Sequence, residues 1–279
     1  MDTKEINSLQ NHETMIEVND YLFLDRRVNL EIGIDSKVGV FARNEEVVYE
    51  FLLALSGMIR TDSIKHHGKH CYDQADYFSK RIFADGALTY FSTLNAGMIA
   101  RSIEAQFHKV VDEEQLTKRI KDLYMRRECL ISDQVEFTPM GNTMMLLSVL
   151  LATSCDLIIH HPLIHLNEAM KEYFVQELTS RPQALVVGVE HLADWKGKLD
   201  AILVFGDLNH VFLVDPKIDE FYAIDATLAY EDRKVFVETS TNQHVVIGWD
   251  KNIKQYCDRQ HLKYKKIDFY EIEKILPAV

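Results

Sequence analysis

The stretch from Lys37 to Gly57, KVGVFARNEEVVYEFLLALSG, constrains this chain more than any other. Lys37 to Phe41 is almost continuously apolar, the pattern of a strand buried on both faces of a parallel sheet. A short polar turn follows. From about Asn44 the apolar residues Val47, Val48, Phe51, Leu52 and Leu55 share one broad helical face, and Gly57 stands where that helix should end. A buried strand that feeds straight into an amphipathic helix commits this part of the chain to an α/β layer.

Strand, turn and helix in that order is where nucleotide-binding α/β proteins place a phosphate loop. Such a loop needs glycines so that backbone amides can wrap a phosphate, plus a lysine and a hydroxyl to meet charge and metal. Here those positions carry Ala42, Glu45, Val47, Val48 and Tyr49. The architecture of the loop is present and its chemistry is missing.

The 279 residues suffice for one large domain or two small ones, and the 47% hydrophobic and 27% charged fractions are those of a globular protein. A net charge of -12 excludes a phosphate-tracking nucleic-acid binder, which needs a basic face. The four cysteines are widely spaced, form no Cys-x-x-Cys pair and read as reduced thiols. No signal peptide is expected at the polar N-terminus. The longest apolar run, around Met144 to Ala152, is shorter than a bilayer span. A cytoplasmic protein is expected, associated with a membrane only through a partner.

Two alternating segments, Met15–Val18 and Val28–Ile34, predict antiparallel strands around a hairpin or loop at Tyr21–Arg27. Thr61–Lys80 is polar, rich in histidine and reads as a surface loop; Arg81–Ala84 reads as a strand. Helical patterning runs from Thr93 to Arg127, with a helix start at Asp112, and a well-buried helix spans Thr138–Ala152. Short apolar strands are expected at Asp156–Ile159, Ala184–Val189, Asp200–Phe205 and Val211–Val214, with a helix over Leu166–Leu178. Beyond Asp215, strands at Lys234–Glu238 and His244–Trp249 precede a terminal helix near Phe269–Ile275.

The segment from Val28-Asn-Leu-Glu-Ile to Gly57-Met-Ile resembles the opening of an ATP-binding-cassette (ABC) ATPase, the motor subunit of ABC transporters, with its Walker A loop and helix. Asp156-Leu-Ile-Ile-His-His-Pro through Leu166-Asn-Glu-Ala169 resembles the Walker B strand and D-loop. Ala184 to Leu192 and Ile202–Phe205 resemble the switch-histidine strand and the strand after it. The resemblance implies a P-loop NTPase-like core with an antiparallel β edge over residues 1–205, a helical insert at about 86–152, and a β-rich C-terminal extension over 206–279.

The departures from the family pattern carry the functional expectation. On the resemblance, Val48 replaces the phosphate-binding lysine and Tyr49 the magnesium-holding hydroxyl, while Ala42, Glu45 and Val47 replace loop glycines. His160 replaces the Walker B aspartate and His161 the glutamate that polarises the attacking water. Phe137-Thr138-Pro139-Met140-Gly141 stands at the signature, Glu190 and His191 at the switch, and Ala84-Asp85-Gly86 in the loop of the coupling glutamine. Phe23 is the candidate for stacking adenine. Losing the lysine, the metal ligands and the general base together removes the electrostatic stabilisation that phosphoryl transfer relies on. The expectation is a non-catalytic cassette with weak or absent ATP and magnesium binding. It would act through contacts with a like or active ABC-type ATPase and with an integral membrane transporter subunit. A free-standing binding module on the same fold is the alternative.

The histidines form a separate pattern. His66-His67-x-x-His70-Cys71 and His160-His161-x-x-x-His165 have ligand-like spacing, which leaves a histidine-based metal protein as a further alternative. Pro162 breaks the second run, and the first lies in the polar segment. Imidazoles satisfied by local hydrogen bonds are therefore expected, with no metal.

Overall fold

The structure, a computed structural model, describes residues 14–24, 26–70, 81–87, 95–107, 111–123, 138–205, 211–225, 235–240, 243–248 and 253–275. Strands β1 (Thr14–Phe23), β2 (Arg26–Gly33), β4 (Ile64–His66) and β5 (Lys69–His70) make an antiparallel sheet in the order β2-β1-β4-β5. The central sheet joins β3 (Lys37–Ala42), β6 (Arg81–Asp85), β7 (Asp156–His160), β8 (Leu185–Gly188), β9 (Ala201–Phe205) and β10 (Val211–Val214) in the order β10-β9-β3-β8-β7-β6. Its strands run parallel except for β10 at the edge. A third, antiparallel sheet holds β11 (Phe221–Asp225), β12 (Val235–Ser240), β13 (Gln243–Gly248) and β14 (Lys263–Ile267).

Helix α1 (Glu45–Ser56) begins where the Asn44 side chain accepts from Glu46 N–H at 3.0 Å. It ends at Gly57, whose φ of 79° is a conformation that costs a glycine little. The helix is pressed between two sheets. Val38, Val40 and Ala42 face it from the central sheet, Ile16, Leu30 and Ile32 from the antiparallel one. Phe51 is fully buried, its ring 5.0 Å from Phe205 and 5.4 Å from Phe23. Burial of each such side chain is worth about 1.5–3 kcal/mol, so packing rather than helix propensity holds α1 in place.

The opposite face of the central sheet, with Ile82, Leu157, Ile159, Val187 and Ile202, packs on the remaining helices. These are α2 (Ala96–Phe107), α3 (Glu113–Asp122), α4 (Pro139–Leu151) and α5 (Glu168–Thr179). Asp112 caps α3 by accepting from Gln115 N–H, as the acidic helix start predicts. Arg181 ties the end of α4 to β7 by donating to Thr153 O and Cys155 O, both at 2.8 Å. From the C-terminal region, Phe221, Phe269, Tyr270 and Ile272 join the same core.

One expectation needs correcting. The histidine-rich segment is not simply a surface loop: Lys65 and His66 pair with Glu17 and Ile16, and His66 is buried. The hairpin or loop expected at Tyr21–Arg27 is a hairpin, in which β1 continues to Phe23 and pairs antiparallel with β2 as far as Phe23–Arg26. Beyond these, β11, β14 and the short helix α6 (Ile253–Arg259) went unforeseen. The last helix, α7 (Ile272–Ile275), closes the described chain after a 3-10 turn at Phe269–Glu271. Among the described residues no helix is long and apolar enough to cross a membrane.

Candidate functional site

The carboxyl ends of β3, β6, β7 and β8 meet at one edge of the central sheet, the place where open α/β sheets bind ligands. There a cavity of about 220 Å³ is lined by Ala42, Arg43, Glu45 and Val48 from the β3–α1 junction. Opposite stand His160, His161, Gly188, Glu190 and His191 from the ends of β7 and β8, with Glu273 from the C-terminal helix. The structure thus brings into one cavity residues that the sequence resemblance assigned to Walker A, Walker B and the switch.

Local geometry explains how each side chain arrives. Val48 is buried, and a Cβ placed on Gly188 would lie 3.0 Å from its Cγ1, so the valine fills the floor between α1 and β8. Tyr49 packs its ring 6.1 Å from Phe83 and 5.0 Å from His160. Val47 packs partly buried against the α1 core. The N-terminus of α1, the end of a helix that attracts anions, carries Glu45 and Glu46 in its first turn and the Asn44 cap.

His160 closes β7, paired in register with Asp85 at the end of β6. Its Nδ1 lies 3.2 Å from Asp85 Oδ1, at bonding distance but poorly aligned, and its Nε2 has no hydrogen-bond partner. Burial opposes ionisation of Asp85, yet His160 and the Ala87 N–H, which donates at 2.9 Å, hold its carboxyl below the usual range. The chain then turns through His161 at φ 49°, a left-handed conformation uncommon outside glycine. That turn stacks the His161 ring 3.7 Å from that of His160. It also sets Nε2 3.6 Å from Glu45 and Nδ1 3.5 Å from Glu190. Burial, followed by neighbouring His160, pushes His161 below its ordinary value against the pull of Glu190, Asp85 and Glu45. The expectation that local hydrogen bonds satisfy the imidazoles therefore fails at His160.

The other candidates lie elsewhere. Phe23 is in the core, its ring surrounded by Tyr21, Phe51 and Phe205, and does not line the cavity. Thr138 caps α4 by accepting from Gly141 N–H at 3.1 Å, with Pro139, Met140 and Gly141 in the first turn; Phe137 lies outside the described residues. His66 and His67 come together with Asp156, all three ligand atoms within 4.8 Å of one another, whereas His70 sits on β5 and Cys71 lies outside the described residues. His165, at φ 64°, is exposed.

Sequence reasoning missed Glu273, which accepts from Leu192 N–H at 2.6 Å and lies 3.6 Å from His191 Nδ1. Nothing local marks a residue that reaches the cavity from eighty-one positions away. It also missed Asp85 as the partner of His160, although a carboxylate ending a parallel strand is a signal that could have been used.

Solved structures resolve what this arrangement is built on. One, of a protein assigned to cobalt transport as its ATP-binding protein (cbiO-2), superposes with a TM-score of 0.58 at 14% identity, over 85% of this chain and 94% of its own. The fold is that of an ATP-binding cassette. The cassette cbiO1 from Clostridium perfringens, part of the cbiONQ ABC transporter complex, matches with a TM-score of 0.55 and 13% identity over 74% of this chain and 90% of its own. An ATP-binding subunit of another ABC transporter matches at 0.57 and 14% identity over 72% of this chain and 90% of its own. No protein-family model and no curated protein sequence matches the chain. Laid on the cassette fold, the cavity is built from the same strand ends to which the sequence motifs were assigned.

Proposed function

We propose that this chain is a non-catalytic ATP-binding-cassette subunit or regulator that works through protein contacts in a transport or export system. The observation that carries the reading is the state of the α1 N-terminus. Asn44 caps it, Glu45 and Glu46 place carboxylates in its first turn, buried Val48 fills the floor, and Tyr49 packs its ring against His160. A polyphosphate would meet Glu45, Glu190 and Glu273 around the cavity, with Arg43 as the one permanent cation in its wall among the described residues. Like charges repel most where water is excluded. Magnesium selects hard oxygen ligands, and the Walker B positions offer imidazoles in their place. The residues present do not fit magnesium-ATP.

In this reading the protein pairs with itself or with an ABC-type ATPase. It docks an integral membrane subunit through its helical segments between about 86 and 152, on the cytoplasmic face. Isothermal titration with ATP and magnesium is expected to give no saturable heat, and phosphate release is expected at the buffer rate. Magnesium-dependent hydrolysis that His161→Ala abolishes would sink the proposal. Co-purification with an integral membrane protein supports the transport role, whereas a stable monomer free of membrane protein refutes it in favour of a free-standing module.

A further inference from the structure

Asp85, His160 and His161 each offer one ligand atom, all of them within 4.8 Å of one another, and the two histidines line the cavity. We propose that these three side chains hold a divalent transition-metal ion of the zinc class, with no nucleotide needed to complete the set.

The donor set comes first. Two imidazoles and a carboxylate suit zinc and its neighbours, and three protein ligands with an open fourth position are the arrangement of a reactive zinc rather than a structural one. The cavity beside His160 and His161 leaves that fourth position open to water or a small ligand. Ligand atoms about 2.0–2.1 Å from a tetrahedral ion stand about 3.3 Å apart. The Asp85–His160 pair already meets this at 3.2 Å, and rotation of His161 about its side-chain bonds closes the rest.

Placement and burial agree. Asp85 and His160 end paired parallel strands, and Gly86 N–H donates to His160 O at 2.8 Å, so two of the ligands stand on locked backbone. His160 is only 6% exposed, yet neither of its ring nitrogens has a hydrogen-bond partner, the Nδ1 that faces Asp85 included. Buried polar atoms are nearly always paired, and a metal ion is one of the partners that explains an orphan. His161 reaches the cluster only through its left-handed backbone, a conformation that often marks a functional constraint.

The surroundings match what metal-bound histidine requires. A carboxylate on the nitrogen that does not ligate fixes ring tautomer and orientation. Glu45 lies 3.6 Å from Nε2 of His161 and Glu190 3.5 Å from Nδ1, so a carboxylate stands near whichever nitrogen does not bind. His66, His67 and Asp156 are the rival group, but His67 is exposed and Asp156 already accepts from Ala184 N–H.

The test uses the full chain purified without a histidine tag, stripped with chelator and titrated with zinc in the absence of nucleotide. Cobalt(II) substitution reads the coordination geometry. We expect one zinc per chain and the intense visible absorption of low-coordinate cobalt. Asp85→Asn and His161→Ala should each lower zinc affinity by about 100-fold, and His67→Ala should leave it unchanged, in variants whose far-ultraviolet dichroism matches wild type. No binding by wild type overturns the assignment. So does equal binding by Asp85→Asn and His161→Ala, or loss in His67→Ala alone. ATP calorimetry decides the cassette proposal separately, because zinc binding here involves no nucleotide.

Discussion

Gly86 follows directly on the strand that carries Asp85. Its N–H donates to His160 O, and a Cβ at this position would stand 2.1 Å from the backbone oxygen of His161. Carbon and oxygen meet comfortably at about 3.3 Å, so Gly86→Ala demands a separation of roughly 1.2 Å between two strand ends. The obstacle is backbone, already turned left-handed at His161, and cannot swing aside as a side-chain tip does. Overpacking costs about 1–3 kcal/mol and a weakened backbone hydrogen bond about 1 more. The sum, about 2–4 kcal/mol, is a large share of the 5–15 typical of a folded domain. Gly188→Ala is the internal comparison. Its Cβ would meet Val48 Cγ1 at 3.0 Å, His160 Cδ2 at 3.2 Å and Leu52 Cδ1 at 3.4 Å, side chains that yield by a few tenths of an ångström. About 1 kcal/mol or less is expected there. In urea unfolding followed by far-ultraviolet dichroism, a slope of about 3 kcal/mol/M puts the Gly86→Ala midpoint roughly 1 M below wild type and Gly188→Ala about 0.3 M below. A Gly86→Ala midpoint within about 0.2 M of wild type, or the reverse ranking, refutes the locking of these strand ends.

Two further perturbations read the same neighbourhood and its support. His161 is held below its ordinary value near 6.5. As pH falls through that value the unfolded chain therefore takes up a proton that the folded chain refuses, and stability drops. Over pH 7.5 to 5.5 the urea midpoint of His161→Gln should decline less than that of wild type; equal declines rule the idea out. Arg181, drawn down to about 10 by burial, remains charged at neutral pH and serves two backbone carbonyls. Arg181→Ala should cost about 2–3 kcal/mol and lower the melting temperature by roughly 5–10 °C. A drop of less than about 2 °C would mean that water replaces the guanidinium without penalty.

The central sheet was legible because its strands are buried on both faces, which writes them as short apolar runs such as LVVG and AILVF. Helix α1 was legible for the complementary reason, a one-sided apolar stripe ending at Gly57. Elements with little apolar writing were lost: KYKKI in β14 has a mostly solvent-facing, charged pattern, and IKH in β4 hides a buried histidine among polar neighbours. The site was half legible. Ala42, Glu45, Val48, His160, His161, Glu190 and His191 line one cavity, as motif order implied. The pairing of Asp85 with His160 depends on the register of β6 against β7, and Glu273 arrives from a distant turn of chain. No local pattern encodes either. Phe23 shows the converse problem, since an aromatic before a strand–turn–helix reads the same whether it faces a ligand or, as here, Phe51 and Phe205.

Glu273 is at once a wall of the cavity and the acceptor for Leu192 N–H, while Lys196 and Asp268 form an ion pair beside it. The last turns of the chain therefore grip the segment that follows β8 and share a boundary with the cavity. Any occupant that draws on Glu273 or His191 changes the free energy of docking that tail, and undocking the tail changes the occupant's affinity by the same factor. The two ends of this relation are a small ligand and a turn of chain that Phe269, Tyr270 and Ile272 anchor in the core. A partner that grasps the tail thus has a thermodynamic handle on the cavity without ever touching it.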